Sequence, residues 1–431
     1  MTIKEFYNKF LEIRKISTDS RKVIPNSIFF ALKGDNFNGN QYAREALELG
    51  CVLAVVDEDN FPKDDRIVYV PDVLLFLQEL AHYHRSQFKT PLLAITGTNG
   101  KTTTKELITA VLKKKYRVVA TRGNLNNHIG VPLTLLEMDE ETQIAVVEMG
   151  ANHTGEISRL CKIADPTHGL ITNIGRAHLE GFGSPANVRE AKNELYIYIR
   201  ENEGAVFINE DDLVLTGLAH NLQKSGYGKH DKAAIQGKDP HEIFSAVQWK
   251  SPPEIDGWMM VQTRLVGGYN FYNILAAISV GKYFGLAPER INQALESYVP
   301  GMNRSQYLET SRNRVILDAY NANPDSMSAA ITNFRQYRAD RKVAILGDMF
   351  ELGNYSYEAH KEVLQALTES SFCKVYLVGP EFARVAVNED ATVFIRLDSL
   401  IAFLDEVPLN QSLILLKGSQ GMGMEKLLSY L

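Results

Sequence analysis

The sequence predicts an α/β protein of three domains with mostly parallel sheets. Three observations predict this class. Short apolar runs typical of buried strands alternate with stretches whose apolar residues recur at helical spacing. Such alternation favours a parallel sheet covered by helices on both faces. The 431 residues are enough for two or three domains, and the pattern restarts near residues 87 and 300.

The first domain is expected to span residues 1–86. Its short strands are predicted in SIFFAL and CVLAVVD, and a helix is predicted in REALELG. A longer helix near FLQELAHYHRSQ is expected to end the domain. These alternating elements predict a small α/β unit.

The second domain is expected to span residues 87–299. Its predicted strands, with helical stretches between them, are LLAIT, VVAT, IAVVEM, GLITNI and AVFIN. From about residue 231 to residue 266 the pattern changes to alternating strands, and the helix NFYNILAAISVGKYFG follows. The sequence therefore predicts a mostly parallel sheet at the centre of the chain.

The third domain is expected to span residues 300–431. Its predicted strands, each followed by a helical stretch, are RVILDAY, KVAILG, KVYLVG, TVFIRL and SLILLKG. This spacing predicts a second doubly wound, Rossmann-like domain.

Composition excludes several classes of protein. Apolar residues make up 45% and charged residues 23% of the chain, as in soluble globular proteins. The net charge of −6 argues against nucleic-acid or anionic-membrane partners. The three cysteines are too far apart for a zinc motif or a disulfide framework. The charged N-terminus and the lack of a long apolar run favour a cytoplasmic protein without membrane insertion, which we expect to be a monomer.

A phosphate-binding loop is predicted in LLAITGTNGKTTTKEL, between a strand and a helix. Gly97 and Gly100 allow the backbone amides to point inward, at a helix N-terminus that attracts anions. Lys101 adds a positive charge, and the Thr102 hydroxyl can reach a metal ion. The generic pattern G-x-x-x-x-G-K-[ST] fails, because Ile95 stands where its first glycine belongs. An ordinary strand-turn-helix junction is the alternative, but the GKT string favours ATP with Mg²⁺.

Polar residues at other strand ends extend this candidate site. Glu148 ends the strand IAVVEM, at the edge where α/β sheets bind ligands, and offers the oxygen that magnesium prefers. His178 lies in a glycine-rich loop after the next strand, where a structural role and a functional role are equally expected. Lys192 and Glu194 lie on the following helix, and residue type alone favours a solvated helix face for both.

Three strands of the last domain end in charged or glycine-rich loops. ILDAYNANPDS carries Asp318, Asn321 and Asn323, and ILGDMFELG carries Asp348 and Glu351. The third loop, LLKGSQGMGME, carries Lys417 and Ser419. Such loops at equivalent positions of one sheet predict a ligand crevice that faces the phosphate loop.

Together these strings resemble the ATP-dependent Mur ligases, which build the peptide stem of peptidoglycan. The resemblance covers the whole chain and rests on these segments: STDSRKVIPNSIFFALKGDNFNGNQYA, GTNGKTTTKE, GNLNNHIGVPLTLL, EMGANHTGEI, TNIGRAHLEGFGS, DAYNANPDSM and GDMFELG. It implies a UDP-sugar-binding first domain, a central P-loop-type ATPase domain and a Rossmann-like ligase domain. The last two strings favour members that add D-Ala-D-Ala to UDP-MurNAc-tripeptide through an acyl phosphate.

The resemblance also implies roles for individual residues. Lys101, Lys192 and His178 would be catalytic, with Lys192 as a carbamate, and two Mg²⁺ ions would be held by Thr102, Glu148, His178 and Lys192. The nucleotide would be bound by Gly97, Thr98, Asn99, Gly100, Lys101, Thr102, Thr103, Asn270, Asn273, Arg304 and Asp318. The other substrates would contact Thr18, Ser20, Arg21, Lys33, Asn321, Asn323, Lys417 and Ser419.

This chain departs from the family pattern at three places. Tyr269 and Gln420 stand where the family often has histidine and arginine, and GMNRS replaces a common GR. We expect Arg304 to take over the phosphate contact of that arginine.

Four alternative functions fit the sequence less well. The family member that adds the third stem residue usually carries a DNPR-type string, which is absent. Folylpolyglutamate synthases share the central domain but lack the UDP-sugar-type start. A regulatory GTPase would need an N-K-x-D string, which is also absent. A non-catalytic interaction protein would have little use for Glu148, His178 and Lys192 beside a phosphate loop.

Overall fold

The structure is a computed structural model that describes residues 2–59, 61, 63–240, 243–370, 372–386 and 391–431. It contains three main sheets, each with helices packed against it. They confirm the predicted α/β class. No helix in these described ranges is long and apolar enough to cross a bilayer.

The N-terminal sheet has four parallel strands in the order β1-β2-β5-β6, and β3 and β4 form a separate two-stranded ribbon. In chain order the elements are α1 (Ile3–Ile13), β1 (Ile16–Ser17), β2 (Ile28–Phe30), β3 (Lys33–Gly34), β4 (Phe37–Asn38), α2 (Ala43–Glu48), β5 (Leu53–Val56), β6 (Ile67–Tyr69) and α3 (Val73–Ser86).

The central unit is built on one nine-stranded sheet. Its strands are β7 (Leu92–Thr96), β8 (Val118–Ala120), β9 (Ile144–Glu148), β10 (His168–Ile171), β11 (Ala205–Asn209), β12 (Gln223–Gly228), β13 (Ile235–Lys238), β14 (Phe244–Ser251) and β15 (Ile255–Val266). Its helices are α4 (Lys101–Leu112), α5 (Gly130–Leu135), α6 (Glu156–Ala164), α7 (Leu179–Phe182), α8 (Pro185–Glu201), α9 (Leu213–Leu218), α10 (Phe271–Tyr283) and α11 (Pro288–Ser297).

The strand order of this sheet is β15-β14-β13-β12-β11-β10-β7-β9-β8. β14 and β15 pair antiparallel, whereas β7 to β13 are parallel. β7 lies between β9 and β10, so the carboxyl ends of these three strands meet at one edge. The strand order reverses there, which is where open α/β sheets bind ligands.

The C-terminal unit has a six-stranded sheet in the order β16-β17-β21-β18-β19-β20, and only β16 runs antiparallel. Its elements are β16 (Gln306–Glu309), β17 (Arg314–Asp318), α12 (Pro324–Gln336), β18 (Lys342–Gly347), α13 (Ser356–Thr368), β19 (Lys374–Val378), α14 (Pro380–Val385), β20 (Thr392–Phe394), α15 (Leu397–Glu406) and β21 (Leu413–Lys417).

The position of α4, the helix that follows β7, is determined by its packing. Leu107, Ile108, Val111 and Leu112 repeat at helical spacing along α4, and all four are fully buried between the sheet and α10. Burying one such side chain stabilises the fold by about 2 kcal/mol. The N-terminus of α4 is therefore held rigidly at the sheet edge.

Two details of the strand prediction were wrong. β12 and β13 were not predicted as separate strands, because glycines interrupt the apolar residues of QKSGYG and IQGK. The expected strand TVFIRL ends at Phe394, and Leu397 already begins α15.

Candidate active site

A cavity of about 900 Å³ lies between the carboxyl edge of the central sheet and the C-terminal unit. Its wall includes the phosphate loop, the ends of β9 and β17, and the loop after β21. The structure brings fifteen of the expected site residues to this wall: Thr98, Asn99, Gly100, Lys101, Thr102, Thr103, Glu148, His178, Asn270, Asn273, Arg304, Asp318, Asn321, Lys417 and Ser419.

The phosphate loop has a backbone that requires glycine at two positions. Gly97 has φ +141° and Gly100 has φ +78°, both in a region that residues with a side chain rarely adopt. A Cβ at Gly97 would collide with Thr172 Oγ1, and one at Gly100 would lie 2.6 Å from Asn273 Oδ1. The loop can therefore bring its amides close to an anion at the N-terminus of α4.

Lys101 closes this loop with its side chain. Its Nζ donates to the carbonyl oxygens of Gly97 at 2.8 Å and Thr98 at 3.0 Å. Burial lowers the pKa of Lys101 to about 8, partly offset by Glu148. The Lys101 ammonium is therefore held where it would offset the negative charge of a phosphate bound above the loop.

Glu148 lies at the end of β9 and is almost fully buried. Its Oε1 accepts hydrogen bonds from Thr102 Oγ1 at 3.0 Å and Asn126 Nδ2 at 2.8 Å. Oε2 is also buried and has no hydrogen-bond partner among the described residues. A buried carboxylate oxygen without a partner beside a threonine hydroxyl is a donor set that fits Mg²⁺.

His178 lies in the loop after β10, with its backbone in the left-handed region at φ +52°. Its Nδ1 contacts the carboxylate of Glu351 from the C-terminal unit, and this contact lowers the pKa of Glu351. Across the described ranges, no three His, Cys, Asp or Glu side chains form a metal site on their own. A site with few protein ligands suits Mg²⁺, because this ion usually takes one or two carboxylates and completes its shell with substrate phosphates and water.

Lys192 is buried on α8 rather than solvated, so residue type alone gave the wrong expectation. Its Nζ lies 5.4 Å from the centre of the Phe182 ring. In the described part of the chain, no carboxylate or carbonyl pairs with it at hydrogen-bond distance. Burial, and secondarily the charge of Lys101, lowers the pKa of Lys192 to about 7. A large fraction of its amine is therefore neutral at neutral pH.

Asn270 and Asn273 form one side of the cavity at the start of α10. Asn273 Nδ2 donates to Asn270 Oδ1 at 3.0 Å, and Asn273 Oδ1 accepts from Thr104 on α4 at 3.0 Å. This network connects the phosphate loop to α10. The neighbouring Tyr269 hydrogen-bonds Ser305 at 3.2 Å, so it joins the central unit to the segment that leads into β16.

The opposite wall comes from the ends of β17 and β21. Lys417 is buried, and its Nζ donates to Asp318 Oδ2 at 2.7 Å and the Asn321 carbonyl at 3.1 Å. Arg304 stacks on the ring of Tyr320 at 3.5 Å, and its buried Nε has no hydrogen-bond partner among the described residues. Ser419 accepts a hydrogen bond from the Phe350 amide at 3.0 Å.

Asn323 caps α12 and also touches the phosphate loop. Its Oδ1 accepts from the Ser326 amide at 2.9 Å, and Pro324 occupies the first helical position. Its Nδ2 donates to Asn99 Oδ1 at 2.7 Å. Asn323 therefore caps a helix and bridges two units, and its expected substrate contact stays a prediction.

The expected N-terminal site residues lie apart from this cavity. Arg21 is exposed and pairs with Asp19 at 2.9 Å, and Lys33 pairs with Asp57 at 2.9 Å and Glu58 at 3.1 Å. Thr18 and Ser20 lie beside Asp19, just after β1. All four residues lie on the N-terminal unit, and none of them lines the cavity.

One loop residue singled out from the sequence does not face the cavity. Asp348 is fully buried, and its carboxylate accepts hydrogen bonds from the amides of Glu381 and Phe382 at 2.9 Å each. It therefore holds α14 against the end of β18. Many other cavity residues were not predicted individually, among them Asn126, Asn173 and Tyr320. Asn126 lies in GNLNNHIG, part of a segment on which the family resemblance rests, so the sequence did mark this region as functional.

The geometry supports phosphoryl chemistry on a substrate held between two units. Glycine-loop amides and Lys101 can neutralise a polyphosphate, and Glu148 with Thr102 can hold a divalent cation. The second wall offers Lys417 and the unpaired Nε of Arg304 within the same cavity. The arrangement fits an enzyme that activates one substrate with ATP and delivers a second one to it.

Comparison with known protein families finds three consecutive matches along the chain. Residues 12–85 match the Mur ligase family catalytic domain, and residues 95–281 match the Mur ligase middle domain. Residues 303–420 match the Mur ligase glutamate ligase domain.

Individual relatives resemble the chain over nearly its whole length. It is 35% identical to the UDP-N-acetylmuramoyl-tripeptide–D-alanyl-D-alanine ligase of Bacillus subtilis, over 96% of this chain and 92% of the relative. A crystal structure of MurF from Acinetobacter baumannii is 30% identical with a TM-score of 0.86, covering 97% of this chain and 93% of that one. MurF from Thermotoga maritima in complex with ADP has the same TM-score at 27% identity and covers 97% of both chains.

The alternative ligases are more distant. A 2,6-diaminopimelate-adding ligase is 18% identical, and the folylpolyglutamate synthase of Mycobacterium tuberculosis is 13% identical. These two likenesses show a shared fold alone.

Proposed function

Because the chain belongs to the Mur ligase family, we propose that it joins UDP-MurNAc-tripeptide to D-alanyl-D-alanine at the expense of ATP, in peptidoglycan precursor synthesis. The observation that carries this function is the cavity in which the phosphate loop faces the Asp318–Lys417 edge of the C-terminal unit. The similarity to curated ligases of this specificity supports the choice of substrates.

ATP is needed because a carboxylate is a poor electrophile. In the first step, an oxygen of the tripeptide's terminal carboxylate attacks the γ-phosphorus, and the bond to the ADP oxygen breaks. In the second step, the amine of D-Ala-D-Ala attacks the acyl carbon of the resulting acyl phosphate. The C–O bond to phosphate breaks, the amine loses a proton, and an amide and phosphate remain.

The central unit positions and neutralises the reacting phosphates. Lys101 would contact the β- and γ-phosphates, and the backbone amides from Gly97 to Thr103 would surround them. The loop can adopt this backbone because Gly97 and Gly100 have no side chain. Two Mg²⁺ ions would be held by Thr102, Glu148, His178 and a carbamylated Lys192. When bound, the ions neutralise the charge that gathers on the transferred phosphoryl group.

The other expected site residues would orient ATP and the amine substrate. Asn270, Asn273, Arg304 and Asp318 would contact ATP. For Arg304 this is supported by its buried Nε, which has no hydrogen-bond partner among the described residues, in a side chain that lines the cavity. Asn321, Asn323, Lys417 and Ser419 would lie near the amine substrate at the C-terminal wall. Closure of the C-terminal unit would keep water away from the acyl phosphate.

The N-terminal unit, taken as residues 1–86, would bind the UDP end of the acceptor through Thr18, Ser20, Arg21 and Lys33. α3 packs on α5 and α6, and Gln78 on α3 donates to the His128 carbonyl at 2.9 Å, so this unit lies next to a cavity-lining loop. The central and ligase units would be residues 87–299 and 300–431. Since the proposed reaction uses ATP and a UDP-linked peptide, we propose that the protein works in the cytoplasm.

We expect ATP hydrolysis to depend on the acceptor. The carboxylate is the first nucleophile, so phosphate release should stay near background with ATP alone and rise when UDP-MurNAc-tripeptide and D-Ala-D-Ala are added. A phosphate-release assay with each substrate omitted in turn measures this. Rapid hydrolysis of ATP by the enzyme alone, unchanged by the acceptor, would argue against the proposed order.

The two nucleotide sites should be separable. If the N-terminal unit binds UDP, the substitution Lys101→Ala should leave UDP binding within about twofold of wild type, because the charge removed lies in another cavity. Titration calorimetry with UDP checks this. Competition between UDP and ATP for one site would show instead that the N-terminal unit has a different role.

A further inference from the structure

Arg176 connects the central unit to two helices of the C-terminal unit. Its Nε donates to Asp325 Oδ1 at 3.1 Å, and its Nη1 donates to the Glu362 oxygens at 2.8 and 3.1 Å. Asp325 lies in the first turn of α12, and Glu362 lies on α13. One guanidinium therefore joins the loop after β10 to both helices.

The backbone of this loop reinforces the connection. The Arg176 amide donates to Asp325 Oδ2 at 2.6 Å. A Cβ at Gly175 would collide with the same carboxylate oxygen, so the close approach requires glycine there. Asp325 is thus held by the side chain and by the main chain of the loop.

The same loop is connected to the phosphate loop. The Gly175 amide donates to Thr98 Oγ1 at 2.9 Å, and Thr98 Oγ1 donates to the Gly175 carbonyl at 3.2 Å. Beside them lies the amide pair of Asn99 and Asn323. The N-terminus of α12 is therefore fixed next to the loop that would hold the γ-phosphate.

We propose that Arg176 is a positioning residue that keeps the C-terminal unit closed over the acyl phosphate, so that the amine rather than water reacts with it. This inference rests on the proposed function. If the closure weakened, a water oxygen would attack the acyl carbon and break its bond to phosphate. The original carboxylate, phosphate and a proton would result, and ATP would be consumed without an amide.

The experiment measures how many phosphates are released for each amide formed, with all three substrates present. Wild type should give a ratio near one. The side chains of these ion pairs are 35% to 52% exposed, so removing the pairs should change the ratio of closed to open forms by about fivefold, as for an exposed ion-pair network. Arg176→Met should therefore raise the excess of released phosphate over amide about fivefold, without a matching rise in the KM for ATP.

Two further variants make the result specific. Glu362→Gln removes only the α13 contact, on an exposed side chain outside the cavity, and should raise the ratio less than Arg176→Met. Arg14→Met removes the ion pair to Glu140 between the N-terminal and central units, and should leave the ratio near one. Added salt should raise the ratio of wild type and leave that of Arg176→Met nearly unchanged, because salt screens the exposed pairs.

An excess of phosphate over amide equal to that of wild type in both Arg176→Met and Glu362→Gln would overturn the proposal. If Arg176→Met fails to fold, Glu362→Gln alone decides. A wild-type enzyme that forms no amide would instead refute the proposed function. The closure would then be tested by energy transfer between a dye on the exposed Cys373 and a second dye on Leu213→Cys, at a position 84% exposed. If the distance between the two dyes with ADP bound is the same with and without Arg176→Met, the proposal is overturned.

Discussion

Replacing Lys192 by alanine is expected to reduce turnover by about a hundredfold or more, because the Mg²⁺ that would neutralise transition-state charge loses a ligand. The side chain is buried, and its low pKa leaves a neutral amine that can add CO₂ and release a proton. The carbamate would then offer an anionic oxygen of the kind that magnesium prefers. A protonated ammonium has no lone pair for a metal and would be repelled by it. Steady-state turnover at saturating substrates measures the loss.

Two companion variants separate the carbamate from a simple positive charge. Lys192→Arg should fail to restore activity, because a guanidinium stays charged and cannot form the carbamate. A small carboxylic acid added to Lys192→Ala should restore part of the turnover. Lys162→Ala, an exposed lysine on α6, is the control and should behave as wild type. If Lys192→Arg keeps most of its activity, the carbamate hypothesis fails.

Replacing Lys101 by alanine should also lower turnover by about a hundredfold or more, the usual cost of one preorganised electrostatic donor. Its Nζ is fixed by two loop carbonyls, so its positive charge is already in place when negative charge develops on the transferred phosphoryl group. Most of the loss should appear in kcat, because the negative charge on the transferred group is greatest in the transition state.

The matched control for Lys101→Ala is Lys113→Ala, an exposed lysine just beyond the other end of the same helix. It should retain turnover and stability close to wild type. Thermal unfolding of both variants checks that the fold is intact. Turnover of Lys101→Ala near the wild-type value would show that this loop does not hold the transferred phosphate.

Local pattern was enough to predict the phosphate loop and its surroundings. β7 is a fully buried and mostly apolar run, α4 repeats its apolar residues at helical spacing, and the glycines between them favour a turn. Glu148 was placed correctly because a polar residue that ends a buried strand must lie at the sheet edge. These features depend on short segments, and short segments are what a sequence specifies most directly.

Contacts between units could not be predicted, because they join residues far apart in the chain. The contact of His178 with Glu351, and those of Arg176 with Asp325 and Glu362, depend on how two sheets face each other. Composition offers no signal for that orientation.

Burial of single polar residues was equally hidden. Asp348 resembled a ligand residue because it follows a strand, yet the amides at the start of α14 satisfy its carboxylate. Lys192 resembled a solvated lysine, and only its place on the inner face of α8 makes it buried. The resemblance to a family supplied its expected role where residue type did not.

The most direct test of the central claim is a mass spectrum of the reaction products. The enzyme is incubated with ATP, UDP-MurNAc-tripeptide and D-Ala-D-Ala, and with each of these omitted in turn. We expect a new UDP-linked species whose mass equals the two organic substrates minus one water, formed only in the complete mixture and in equal amount to ADP. A complete mixture that yields ADP without this species, or an unchanged acceptor with no ADP, would contradict the assignment of this chain as the D-Ala-D-Ala-adding ligase.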